Sequence, residues 1–321
     1  MTPKIDLHCH IEGAAQPDLV RELAKRNAIY LPESLFDERG DFAWSNFLEF
    51  LNAYDLASSC IRTPLDYRDV TYEYLKSCAA EGAIYAEFFS SPDHAAANGI
   101  SYGGHIEGMV QGINDAERDF GIIGRIIVTC VRHLGPERAV AVADAIISEP
   151  HPHVVGFGMG GDENKFDISE FAPAFDRVNQ SGLPTTVHAG EIRGPESVSA
   201  TLDVLPVSRI GHGVRSIEDK NLIDRIIEMD ITLEVCPGSN LALGIYGSVN
   251  DHPLRELMHV GCRVALGSDD PPFFATTIGA EYNLAKNEFG LSGDEISTIN
   301  RNALDGAFCD EATKNLLRAK L

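Results

Sequence analysis

The sequence predicts a closed (β/α)8 barrel of the TIM type, on three observations. About eight short apolar runs are each followed by a polar-apolar stretch of helical length. The runs are almost continuously apolar, as strands covered by helices on both faces of a parallel sheet must be. No glycine-rich phosphate-binding turn follows the first run, where an open doubly wound sheet would carry one.

Taken in order, the first strand falls within residues 3–13, PKIDLHCHIEG. Strand side chains alternate faces, so Asp6, His8 and His10 share one face while Ile5, Leu7 and Cys9 share the other. Residues 16–28 predict a helix, with Pro17 at a favoured first position and Leu19, Val20, Leu23 and Ala24 at helical spacing. Further helices are expected at about 41–57 and 63–81, the second opened by Thr63 and Pro64 and closed at Gly82. Residues 30–82 thus form a helical insertion after the first strand, read as either a lid or a structural layer.

The remaining strands are expected at 84–89, 124–131, 153–159, 183–189, 208–213, 231–236 and 262–267. Helical patterns such as PERAVAVADAIIS and IEDKNLIDRIIEM lie between them. The tail from Ser292 reads as helices packed on the outside. With no internal repeat, low-complexity tract or linker, residues 1–321 are expected to form one domain.

An apolar share of 44% and a charged share of 23% are those of a soluble globular protein. The net charge of -22 repels phosphate backbones and anionic membranes, so the expected partner is a small, preferably neutral molecule, with no nucleic acid and no membrane. Seven scattered cysteines (Cys9, Cys60, Cys78, Cys130, Cys236, Cys262 and Cys309) point to reduced, buried thiols rather than a disulfide framework. Together with a start that runs straight into a strand, this predicts a cytoplasmic protein.

Polar residues of ligand and acid/base type recur where strands end. His8 and His10 close the first strand, His188 and Glu191 the fifth, His212 the sixth, and Asp269 with Asp270 the eighth, so all are expected at one mouth of the barrel. Singly, each has an ordinary explanation: an edge strand for His-x-His, a satisfied core histidine for His188, a loop cap for His212, a turn for Asp-Asp-Pro-Pro. Jointly they make a nitrogen-rich donor set suited to Zn2+ or another divalent transition metal, with His8, His10, His188 and Asp269 as ligand candidates. The predicted fourth strand has no lysine to bridge a second metal, so one ion is favoured. The remaining histidines (His94, His105, His133, His151, His153, His252 and His259) are expected on the surface.

The segments HCHIEGA, GDE at 161–163, HAGE, GHG, CPGSN at 236–240 and GSDDPPFF resemble, in order, the signatures of the adenosine deaminase family of zinc-dependent purine deaminases. The resemblance runs from about residue 3 to about residue 282. It implies a (β/α)8 barrel holding one zinc through His8, His10, His188 and Asp269. It also implies Glu191 as proton donor to ring nitrogen N1, His212 positioning the attacking hydroxide, and Gly161 with Asp270 hydrogen-bonding the purine at N3 and N7. The chemistry agrees: displacing a ring amine needs hydroxide at neutral pH and a general acid for the ring nitrogen. Burial and the neighbouring Asp270 are expected to keep Glu191 protonated. A non-catalytic relative would have lost Glu191, His212 or a ligand, and none is lost.

One position departs from the pattern. Where most adenosine deaminases carry an aspartate for the ribose 5'-hydroxyl, this chain has Glu12, as related adenine deaminases do. Against that, GSDDPPFFATTIGAEY lacks the glycine-rich continuation of those enzymes. Deamination of adenosine or 2'-deoxyadenosine is therefore the first expectation, with adenine or a modified adenine nucleoside second.

Overall fold

In the computed structural model, which describes residues 2–321, eight parallel strands follow one another round the sheet in sequence order. Strand β1 (Lys4–Asp6) is followed by α1 (Pro17–Arg26), α2 (Phe47–Ser58) and α3 (Pro64–Ala80); β2 (Ala83–Ser90) by α4 (Pro92–Ala97) and α5 (Tyr102–Phe120). Then come β3 (Ile123–Val131) with α6 (Pro136–Ser148), β4 (Val154–Gly160) with α7 (Ala172–Gln180), and β5 (Thr185–Ala189) with α8 (Pro195–Val204). After β6 (Arg209–His212) and α9 (Lys220–Glu228), β7 (Thr232–Val235) leads to α10 (Pro237–Ala242) and α11 (Leu254–His259). The chain ends with β8 (Arg263–Leu266), α12 (Ile278–Asn287), α13 (Gly293–Gly306) and α14 (Glu311–Arg318).

The barrel closes beyond the short β1, on the histidine segment itself. His10 N donates to Asp269 O at 2.9 Å and Asp269 N to His8 O at 2.7 Å, while on the other side Phe89 N donates to Cys9 O at 2.7 Å. The chain carrying two candidate ligands is thus pinned to β8 on one flank and to β2 on the other. A rigid backbone at this point limits how far those imidazoles can wander.

The expected insertion divides into two parts with different tasks. Helix α3 starts with a Thr63–Asp66 capping box and packs against α5 as an ordinary outer helix of the barrel. Helix α2 instead lies over the mouth. It begins at Phe47 rather than near residue 41, because Asn46 caps it by accepting from Glu49 N, while Phe36 and Phe42 upstream pair as an antiparallel bridge. Its Phe50 packs on Phe274 with centroids 4.9 Å apart, and the Trp44 indole donates to Phe273 O at 2.9 Å, tying this roof to the loop after β8.

Glycines set how closely α5 approaches α3. A Cβ at Gly108 would lie 2.2 Å from Pro64 O, and one at Gly112 2.7 Å from Arg68 O. That close approach buries His105 completely, contrary to its expected surface position. His252 is buried too, at 4% exposure, and His94 and His133 face the cavity at the mouth. All seven cysteines are free and buried. Among the described residues no helix is long and apolar enough to cross a membrane.

Candidate active site

The candidate residues meet at the carboxyl ends of the strands. His10, Glu12, Gly161, His188, Glu191, His212, Asp269 and Asp270 all line one cavity, and His8 lies behind them, fully buried. His212 (φ 58°) and Asp269 (φ 60°) both turn through the left-handed region where their strands end, a strained conformation of the kind that clusters at functional sites. Gly13 must be small here, since a Cβ on it would sit 1.8 Å from Asp270 Oδ1. Gly161, at φ 96°, adopts a backbone conformation that favours glycine.

The donor atoms converge. His10 Nε2 is 3.0 Å from His188 Nε2 and 3.5 Å from Asp269 Oδ1; His8 Nε2 is 3.6 Å from the same oxygen. The ligand atoms of His8, His188, His212 and Asp269 lie within 4.8 Å of one another, as do those of His10, Asp269 and Asp270. Two imidazoles have their other nitrogen occupied: His8 Nδ1 is 2.6 Å from Glu234 Oε2, and His188 Nδ1 donates to Met159 O at 2.9 Å. Their Nε2 atoms are thereby aimed inward, and His8 Nε2 is a buried nitrogen with no hydrogen-bond partner. A divalent cation fits this set: tautomer-fixed imidazoles, a buried orphan nitrogen and one carboxylate aimed at a single point.

The electrostatics follow the same geometry. Burial lowers the His10 pKa to about 4 and holds His188 well below its ordinary value, with His8 adding to both shifts. Both are therefore neutral, the form in which imidazole binds metal. For His8, burial pulls downward but is outweighed by Asp269 and Glu234, which raise it to about 10, so a bound cation would take the place of the proton on its Nε2. Asp269 is also opposed by burial, yet the surrounding imidazoles hold it well below the usual carboxylate range.

Glu191 is pushed well above its ordinary value, first by burial and then by Asp269 and Glu163. The expected neighbour Asp270 is not among the largest of these charges, although Glu191 in turn raises Asp270. Asp270 is itself raised well above the usual range by burial and by Asp269, and its Oδ1 has no hydrogen-bond partner. Burial thus favours the protonated form of both carboxyl groups at the cavity wall, the form that can donate a hydrogen bond.

Three positions escaped the sequence reading. Glu163 accepts from Gly190 N (2.6 Å), Ile192 N (2.9 Å), Arg193 N (2.9 Å) and Ser197 Oγ (2.5 Å), so it clamps the loop that presents Glu191. It sits in the GDE segment, where only Gly161 had been singled out. Asn240 donates to Glu191 Oε1 at 3.3 Å and lies 3.4 Å from His212 Nδ1, and the buried His252 is 3.1 Å from its Oδ1. Glu234, which holds His8, showed itself only as an acid inside the apolar run ITLEVC.

A sequence model of the adenosine deaminase family matches residues 3–321. A protein named adenine deaminase from Agrobacterium fabrum (strain C58) is 45% identical over 318 residues, covering 99% of this chain and 97% of its own length. The crystal structure of an adenine deaminase from Arthrobacter aurescens superposes with a TM-score of 0.92 at 30% identity, covering 100% of this chain and 98% of that one. A Burkholderia ambifaria amidohydrolase crystallised with bound Zn gives 0.90 at 29% identity, over 99% of this chain and 89% of that one. With the fold, the order of the motifs and the full length of the sequence in agreement, the chain belongs to the adenosine deaminase family.

Proposed function

We propose that the protein is a hydrolase that converts adenine to hypoxanthine and ammonia. Adenosine, the first expectation from the sequence, gives way to the free base. The relative from Agrobacterium and the structural neighbour from Arthrobacter both carry the name adenine deaminase, and one feature of this chain favours the same substrate.

The observation that carries the reading is the posture of Glu12. It is 1% exposed, and its Oε1 is drawn back by three donors: Ser90 Oγ at 2.7 Å, Ser91 N at 3.1 Å and Tyr67 Oη at 3.3 Å. These come from the end of β2 and from α3, three strands round the barrel from β5, which carries His188 and leads into Glu191. A carboxylate held there presents an acceptor to the far edge of a purine whose amine points at Glu191 and His212. Free adenine offers an N–H on that edge; a nucleoside has a sugar bond at N9 instead.

Phe47, Phe50 and Tyr54 of α2 roof the cavity with aromatic side chains.

The roles follow. Zn2+ is the ion proposed for His8, His10, His188 and Asp269, and when bound it supplies hydroxide at neutral pH by lowering the pKa of a water. Glu191, held protonated, gives its proton to N1, which makes C6 electrophilic. His212, near Glu191 and anchored through Asn240, orients the attacking oxygen. Asp270 donates to N7 and the Gly161 N–H to N3, so opposite edges of the purine are each read by a donor. The whole chain acts as one catalytic domain, with α2 and the residues before it as the roof. Its net charge of -22 and unpaired thiols suit a small neutral substrate in a reducing cytoplasm.

Ammonia release from adenine, adenosine, 2'-deoxyadenosine and adenosine monophosphate tests this. The expected kcat/KM for adenine exceeds that for adenosine by at least about 10²-fold, as for a site whose buried acceptor requires a substrate N–H. Faster turnover of adenosine would overturn the reading.

A further inference from the structure

Behind Glu12 lies a buried polar chain whose far member, His105, the chemistry above does not use. His105 on α5 is 0% exposed, with Nε2 2.7 Å from Ser90 Oγ. Ser90 Oγ in turn donates to Glu12 Oε1 at 2.7 Å. A hydroxyl has one proton, and Ser90 spends it on Glu12, so His105 must be the donor to Ser90. Burial pushes the His105 imidazole down to about 3, so it is neutral and carries its proton on Nε2. Its Nδ1 is then a bare, buried nitrogen without a partner. Tyr67 packs edge-on against this ring, with centroids 4.6 Å apart, and points its hydroxyl at the same Glu12 oxygen.

We propose that His105, Ser90 and Tyr67 are positioning residues that lock Glu12 as a fixed acceptor for the free N–H of the base, and so set the preference for a purine base over its N9-substituted forms. The inference rests on the adenine reading above. All the donors converge on Oε1, so the carboxylate cannot swing and its second oxygen is left for the cavity. Each hydrogen bond in the chain polarises the next, and a buried chain with its protons ordered in one direction resists rearrangement. A histidine serving only as filler would not need its proton directed at Ser90, nor would an orphan Nδ1 be tolerated at no gain.

The test compares kcat/KM for adenine with that for 9-methyladenine, which lacks the N9–H. His105→Phe keeps the ring and its contact with Tyr67 but removes the donor; Tyr67→Phe removes only a hydroxyl; Ser90→Ala cuts the chain in the middle. Each is expected to lower the adenine/9-methyladenine ratio by about tenfold, mostly through a higher KM for adenine, with the bound metal per chain unchanged. His105→Gln, whose amide N–H can reach Ser90, should recover most of the ratio. A purely structural role would lower thermal stability and slow both substrates alike, leaving the ratio where it was. A ratio within twofold of wild type in folded, metal-loaded Tyr67→Phe and Ser90→Ala overturns the inference, even if His105→Phe fails to fold. If the unmodified enzyme turns over adenine while the ratio does not move, only this inference falls. No turnover of adenine by the unmodified enzyme removes the adenine reading and this inference with it.

Discussion

Two of the buried polar clusters inside the barrel are built on opposite plans. Below the mouth, Arg209 bridges Glu87 and Glu234; Glu87 also accepts from Tyr85 Oη and Phe308 N at 2.6 Å each, and Glu234 from Thr186 Oγ1 at 2.9 Å. The guanidinium lies 3.7 Å above the Phe308 ring, so the segment after α13 closes that end. At the mouth, by contrast, His8 Nε2 and Asp270 Oδ1 have no partner, and two imidazole nitrogens face each other at 3.0 Å. Both clusters are out of water. In the lower cluster each charge meets its counter-charge and only Arg209 Nη2, beside the Phe308 ring, lacks a hydrogen-bond partner, whereas at the mouth unmatched atoms of separate residues surround one point, as if set for something the chain does not itself supply. Glu234 belongs to both: Oε1 serves Arg209 while Oε2 holds His8.

The largest effect should come from breaking the matched cluster. Arg209→Met leaves Glu87 and Glu234 buried without their cation, and equilibrium denaturation is expected to report a loss of about 3–5 kcal/mol. A loss under about 1 kcal/mol would mean that the lower cluster is not held by its charges.

Next in size is a substitution at the unmatched end. Glu191→Gln keeps the shape and should leave fold and metal intact while lowering kcat by at least about 10²-fold, because the amide has no proton to give to N1. Near-normal turnover would require another acid, and the contrast between a structural cluster and a reactive one would lose its chemical half.

The shared residue should show the smaller, mixed effect. Glu234→Gln weakens the orientation of His8, and metal affinity is expected to fall by about 10- to 100-fold, read by competition with a chelator. Unchanged affinity would separate the two clusters and leave Glu234 wholly structural.

Much of this was legible in the sequence, for definite reasons. Strands buried on both faces must be apolar throughout, so the runs located seven strands to within two residues; for example 84–89 became Ala83–Ser90. Ligand-type residues at strand ends stood out because nothing in a barrel core requires them. What stayed hidden depended on which strands and helices meet. Glu87, Arg209 and Glu234 sit in three apolar runs as isolated charges, and only the barrel brings them together. His105 looked exposed because burial comes from Gly108 and Gly112, whose spacing on α5 lets α3 press close. In the sequence Glu12 stands out only as a glutamate where the family pattern has aspartate, but what decides its role is the set of donors behind it, Ser90, Ser91 and Tyr67, none of them near it in sequence.

The unmatched mouth is tested most directly by elemental analysis of the purified protein, paired with adenine deamination before and after chelation. One divalent ion per chain is expected, with activity lost on its removal and restored by Zn2+. Two ions per chain, or full activity after the metal is gone, would contradict the account.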